Sequence, residues 1–193
     1  MPGTKVKRGQ QEPVAPATPT AKQRHWVATS AARNGIDRDE PYDLYETPGH
    51  MVRRLHQIVV SLCHESWGDL DISPVQYGAL MAIRAFPGVD QRGLARAVAV
   101  DRSTAGTVSE HLERRGLIER RTGIGDKRNK ELFITKSGAA LLRRAQVIAW
   151  EIQDQLLEPL GESERDAFVK LLGKLVERNN AHSRAPLDLT GFE

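Results

Sequence analysis

At 193 residues, 39% of them hydrophobic and 27% charged, the chain is long enough to bury a core and lies in the ordinary range for a soluble domain with a tail. No apolar run approaches the roughly 18 residues of a membrane span. A single cysteine, Cys63, excludes an internal disulfide framework, and the N-terminus has no apolar stretch ahead of small residues to serve as a secretory signal, so the expected location is cytoplasmic.

Residues 1–40, rich in Pro, Ala and Thr, show no apolar period, and their first 30 residues carry Lys5, Lys7, Arg8, Lys22 and Arg24 against Glu12; they read as a disordered basic tail. From Thr47 the pattern changes. Pro48 suits a first helical turn, and Val52, Leu55, Ile58, Val59 and Leu62 recur at three and four, giving an amphipathic helix that ends near Gly68. Ser73 before Pro74, with Gln76 three places on, is a capping box that starts a second helix through Tyr77, Leu80, Met81 and Ile83, stopped by Pro87-Gly88. Val89 to Val98 reads as a short third helix with Leu94, Ala95 and Val98 inward, and Ala99-Val100 as a turn.

Asp101 caps the next helix, whose Ala105, Val108 and Leu112 form one stripe before Gly116 ends it. Leu117 to Arg121 and Glu131 to Thr135 are short strands joined by the polar, basic loop Thr122 to Lys130. Lys136 returns the chain to helix, with Leu141, Leu142, Ala145, Ile148, Ala149, Ile152, Leu156 and Leu157 inward over about six turns. Pro159 to Ser163 interrupts it, and Phe168, Leu171, Leu172, Leu175 and Val176 make a last helix.

A helix pair across a tight turn, followed by a hairpin with a basic tip, predicts a mainly α winged helix-turn-helix fold, α+β with a small β-hairpin wing. The net charge of +3 decides little, but its placement is informative. Gln91 to Lys130 holds ten Lys or Arg against five acids, whereas Lys136 to the C-terminus holds eight against nine. The terminal helices carry more apolar stripe than one subunit readily covers, which predicts a two-fold homodimer. The expected organisation is a tail over 1–40, an N-terminal dimerisation segment over 41–72, a DNA-binding domain over 73–135, C-terminal dimerisation helices over 136–182 and a tail over 183–193.

With Ala105, Val108 and Leu112 inward, Ser103, Gly106, Thr107, Glu110 and Arg114 turn outward, flanked by Thr104 and His111. Small hydroxyl and glycine residues let a backbone approach base edges and thymine methyls in the major groove. Arg92, Arg96, Arg102, Arg120 and Arg121 are assigned to phosphates, which position a protein without reading sequence. The partner so predicted is double-stranded DNA, with an inverted-repeat operator matching the protein's two-fold symmetry.

The segment Leu117 to Gly138, LIERRTGIGDKRNKELFITKSG, resembles the wing of the MarR family of bacterial transcriptional regulators through Asp126, Arg128, Leu132, Ile134, Thr135 and Gly138; the preceding HLERRGLIER is also similar. The resemblance spans Pro48 to about Asn180. It implies a homodimer with interleaved terminal helices, a recognition helix in each major groove, and a wing at the minor groove with Lys127 beside Arg128 as the wing arginine. It further implies a small aromatic carboxylate effector, bound where the dimer helices meet the DNA-binding lobe, that releases DNA from a repressor. His50 and Arg54, one turn apart, are the candidate carboxylate partners and Tyr77 a candidate aromatic wall, with the bland alternative that His50 caps the helix and Tyr77 is core. The lead DLYETPGH at Asp43 to His50 is similar to a subgroup controlling degradation of nicotinate-like acids.

Competing classes are weaker. Cys63 beside Leu62 and Trp67 reads as a buried thiol rather than the exposed one a redox-sensing regulator needs. His50, His56 and His64 lack metal-ligand spacing, and no cofactor motif occurs. Asp101, Ser103 and His111 lie on one helix segment that cannot enclose a substrate, so no enzyme is predicted. A non-specific architectural DNA binder is the alternative that phosphate contacts alone would satisfy.

Overall fold

The computed structural model describes residues 44–123 and 130–192. The tail read over 1–40 lies outside the described residues, as do Lys127 and Arg128 at the hairpin tip. The chain falls into two units, residues 1–55 and 56–193.

Helix α1 runs Pro48–Trp67. Thr47 starts it by accepting the His50 N–H at 3.3 Å. In the first unit Met51 and Val52 are exposed; in the second, burial falls on Cys63 and Trp67, while Ile58 and Val60 stay exposed. Trp67 is the anchor. Its indole N–H donates to the Ala145 carbonyl at 3.2 Å and its ring packs on Tyr77 with centroids 4.9 Å apart, so the polar end of a buried aromatic is satisfied.

The capping box starts helix α2, Pro74–Ala85: the Gln76 N–H donates to the Ser73 hydroxyl and the Ser73 N–H to the Gln76 side chain. The expected helix over Val89 to Val98 is corrected at its start. Val89–Asp90 is strand β1, and helix α3 covers only Gln91–Ala97. The reason is local: the Asp90 carboxylate accepts the Gly93 N–H at 2.6 Å and so becomes the cap, leaving Val89 outside the helix, paired with Leu132. Ala99 takes a left-handed φ of 54° in the turn, and helix α4 follows over Arg102–Arg114, capped by Asp101.

Strands β2, Ile118–Thr122, and β3, Lys130–Ile134, form the hairpin, and with β1 they make an antiparallel sheet of order β1-β3-β2. Helix α5 runs Lys136–Leu157 and helix α6 Glu162–Asn179. Thr135 caps α5 by accepting the Gly138 N–H at 3.1 Å, and a Cβ at Gly138 would run into the Leu117 carbonyl. Two residues of the wing pattern therefore serve the hairpin-to-helix junction.

Leu80, Ile83, Leu94, Leu112, Ile118, Leu132, Leu142 and Ile152 are fully buried and join α2, α3, α4, the sheet and α5 in one core. At roughly 1.5–3 kcal/mol per large side chain removed from water, this core holds α4 and the hairpin as a unit. None of α6 is buried: Val169, Leu171, Leu175 and Val176 are exposed, as are Val147 and Trp150 on α5. Residues 183–192, read as a tail, pack back onto the lobe: the Asp188 N–H donates to the Arg96 carbonyl at 3.2 Å and Phe192 stacks on Phe86.

Candidate nucleic-acid interface

Ala105, Gly106, Ser109 and Leu112 are the buried residues of α4, with Val108 half-buried beside them. This orientation leaves Ser103, Thr107, Glu110 and Arg114 exposed at spacings of four, three and four, on one face of the helix. Arg102 is exposed at the helix start, and Thr104 and His111 are half-buried flanks. Gly106 does not turn outward. It is buried under the Gln91 side chain, whose amide donates to the Arg102 carbonyl at 3.1 Å, and a Cβ at Gly106 would lie 2.7 Å from that amide nitrogen. Its small size thus serves the packing of α3 on α4.

The hydroxyl protons of the exposed face are already engaged. Ser103 donates to the Asp101 carboxylate; Thr104 donates to the same group through its N–H at 2.8 Å and its hydroxyl at 2.7 Å. These bonds, that from Ser103 foremost, hold the Asp101 carboxyl well below the usual carboxylate range. Thr107 donates to the Ser103 carbonyl at 3.1 Å. Ser103 and Thr107 therefore present acceptor lone pairs and, from Thr107, a methyl group. Those suit the exocyclic amines of cytosine and adenine and the methyl of thymine.

Arg120, assigned from sequence to phosphates, faces the protein instead. Its Nε lies 3.0 Å from Glu113 Oε2 and its Nη2 donates to Ser109 Oγ at 3.1 Å. Ser109, fully buried, donates in turn to the Gly106 carbonyl at 3.0 Å. Arg120 thereby latches β2 to the back of α4. Ser109 falls four residues after Ala105, so the helical period already placed it inward, but its polarity argued for the surface. Arg115, which sequence reasoning left without a role, donates to the carbonyls of Leu70 and Asp71 and ties the end of α4 to the turn after α1.

Arg121 is exposed, paired with Glu119, with its guanidinium 4.3 Å above the Phe133 ring. Arg92 is exposed on α3. Arg96, one turn further along α3, is engaged by Asp188 at 3.0 Å. Lys130 donates to the Thr122 hydroxyl at 2.9 Å across the base of the hairpin.

His50 and Arg54 belong to the first unit and Tyr77 to the second. The Tyr45 ring meets His50 edge-on at 5.4 Å, and His50 Nε2 is buried without a hydrogen-bond partner among the described residues. Arg54 is exposed. Tyr77 is half-buried against Trp67, and burial pushes its phenol pKa up. Burial likewise pushes up the Cys63 thiol, which is 5% exposed, so the reactive thiolate is disfavoured and the redox reading loses its physical basis. Among the described residues no group of three or more His, Cys, Asp or Glu is placed to hold a metal ion, and no helix is long and apolar enough to cross a membrane.

Residues 70–129 match the MarR family. The transcriptional repressor NicR of Pseudomonas putida is 31% identical over 71% of this chain and 87% of its own length. The crystal structure of the PcaV transcriptional regulator from Streptomyces coelicolor with its natural ligand superimposes with a TM-score of 0.64 at 33% identity, covering 72% of this chain and 97% of PcaV. Bordetella bronchiseptica BpsR, whose DNA binding is regulated by 6-hydroxynicotinic acid, gives a TM-score of 0.67 at 29% identity over 70% of this chain and 97% of BpsR. With the helix pair, the hairpin and these relatives in agreement, the chain belongs to the MarR family of DNA-binding, winged helix-turn-helix transcriptional regulators.

Proposed function

We propose that the protein is a homodimeric repressor that reads an inverted-repeat operator through α4 and is released from it by a small aromatic carboxylate of the nicotinate class. The observation that carries the reading is the exposed face Ser103, Thr107, Glu110 and Arg114 on a helix whose back is fixed by Ser109 and Arg120. A helix so held can present the same few side chains to base edges at every encounter, with Arg92 and Arg102 on the phosphates. Lys127 and Arg128 at the hairpin tip take the minor groove and its phosphates in this reading.

The exposed apolar residues of α5 and α6, Val147, Trp150, Leu171, Leu175 and Val176 among them, support pairing of two chains through 41–72 and 136–182, because a monomer seldom leaves so much apolar surface in water. The repressor role is supported by the repressor NicR, and the effector class by 6-hydroxynicotinic acid regulating the DNA binding of BpsR. That class is supported too by the His50 Nε2, buried without a partner among the described residues and able to donate a hydrogen bond to a carboxylate.

Selection from randomised duplexes tests the reading, followed by binding to the selected site with benzoate, nicotinate and 6-hydroxynicotinate added in turn. An inverted repeat with half-sites about one helical turn apart, released by at least one acid, is the expected result. Binding that shows no site preference would establish an architectural DNA binder instead. Release by none of the acids would remove the effector class.

A further inference from the structure

The segment after α6 is a strap across α3, the first helix of the pair. Asn180 holds its root, donating to the Leu187 carbonyl at 2.8 Å and accepting the Leu187 N–H at 2.9 Å. The Asp188 N–H reaches the Arg96 carbonyl at 3.2 Å. At the far end Phe192 stacks on Phe86 with ring centroids 4.4 Å apart, and the Arg96 guanidinium lies 5.4 Å from the Phe192 ring. Ser183, Arg184 and Ala185 line a cleft with Asp101 and Thr104, so the strap passes beside the start of the recognition helix.

The bonding state of Arg96 is the informative detail. Its Nη1 lies 3.0 Å from the Asp188 carboxylate and 3.3 Å from the Thr190 carbonyl. Anionic and neutral oxygens around a guanidinium are what a DNA phosphodiester supplies. Arg92, one turn away on the same helix, is exposed and outside the strap. The Arg96–Asp188 pair is about two-fifths exposed on both sides, and such a pair is weakly held, so a phosphate can replace the carboxylate. The backbone bond and the Phe192 stack do not depend on that pair.

We propose that Asp188 is an intramolecular stand-in for a DNA phosphate: the strap occupies Arg96 and lowers the affinity of the chain for DNA, and binding exchanges the Asp188 carboxylate for a phosphodiester. The proposal rests on the reading of the α3 arginines as phosphate contacts. It carries a salt signature. In the wild-type exchange the freed carboxylate takes up a cation while the phosphate releases one, so Arg96 adds little to the salt dependence; without the carboxylate the release is uncompensated.

The test uses the full chain and a labelled mixed-sequence duplex of about 30 base pairs, titrated by fluorescence anisotropy over about 50 to 200 mM salt, because phosphate contacts need no operator. Asp188→Asn is expected to bind several-fold more tightly at the low-salt end, with a slope of log affinity against log salt steeper by about 0.9 per chain. Phe192→Ala, which loosens the strap, should move affinity the same way, and Arg96→Ala combined with Asp188→Asn should abolish the gain. If Asp188→Asn leaves affinity and slope unchanged while Arg92→Ala weakens binding, the strap proposal falls and the phosphate reading of α3 stands. If neither variant moves affinity, both fall. Weaker binding by Asp188→Asn, with a lowered melting temperature, would make the strap a structural brace and overturn the proposal.

Discussion

Arg120→Ala separates two physical roles that look alike in sequence. If Arg120 is the latch the structure describes, its removal strips the buried Ser109 hydroxyl of the hydrogen bond it accepts and leaves Glu113 without its ion partner. A hydrogen bond to a charged group contributes about 1.5–3 kcal/mol. Ser109 keeps its own bond to the Gly106 carbonyl, and Glu113 is 41% exposed and returns to water, so the ion-pair share is discounted. The expected loss is about 2 kcal/mol of unfolding free energy, or a melting temperature lower by about 4–8 °C for a chain of this size. Urea unfolding at a fixed protein concentration measures it, since dimerisation would otherwise shift the midpoint. The salt slope of DNA binding should stay at the wild-type value. A variant of unchanged stability whose slope falls by about 0.9 per chain would show that Arg120 binds phosphate and that the latch is incidental.

Thr107→Ala should relax base preference at symmetry-related positions by about 1–3 kcal/mol, leaving non-specific affinity nearly intact; selection from randomised duplexes that returns the wild-type preference would show that this face does not read bases. Gly138→Ala should destabilise the fold by about 1–3 kcal/mol, because the added methyl meets the Leu117 backbone carbonyl rather than a flexible side chain; unchanged denaturation would mean that the junction yields freely. Bonds from Thr190, and then Arg96, lower the Asp188 pKa to about 2 from an ordinary 3.8. A depressed carboxylate contributes stability that is present above its unfolded value and lost as pH falls through the folded one, so the Arg96–Asp188 contact should hold from pH 8 down to about 4 and be lost below, the rest of the strap staying in place. A carboxyl NMR titration of Asp188 with a midpoint near the ordinary value would contradict that.

Much of the scaffold was legible because its signals are local. The Ser73–Gln76 capping box and the Asp101 cap each involve residues within one turn of each other, and each is where the sequence placed it; the break expected over Pro159 to Ser163 is shorter, since α6 already begins at Glu162. The outward run Ser103, Thr107, Glu110 and Arg114 followed from the same 3.6-residue period, since fixing the buried stripe fixes the opposite face. Gly106 escaped that logic: without a side chain, it gives no sign of which face it occupies until Gln91 is seen lying over it.

What only the tertiary structure decided are pairings between residues distant in the chain. Val89, left outside the helix by the local Asp90 cap, becomes a strand residue only because Leu132 lies beside it, and Arg120 turns inward because the hairpin register sets it behind Ser109 and Glu113. Arg96 is occupied by a carboxylate 92 residues away. In sequence these arginines are interchangeable cations; their roles diverge only when packing chooses each one's oxygen partners. Composition and period determine which residues can be buried and which helices form, because those depend on free energies of neighbouring residues. Whether a charged side chain meets solvent, a partner or DNA depends on what the fold brings against it, and no local pattern encodes that.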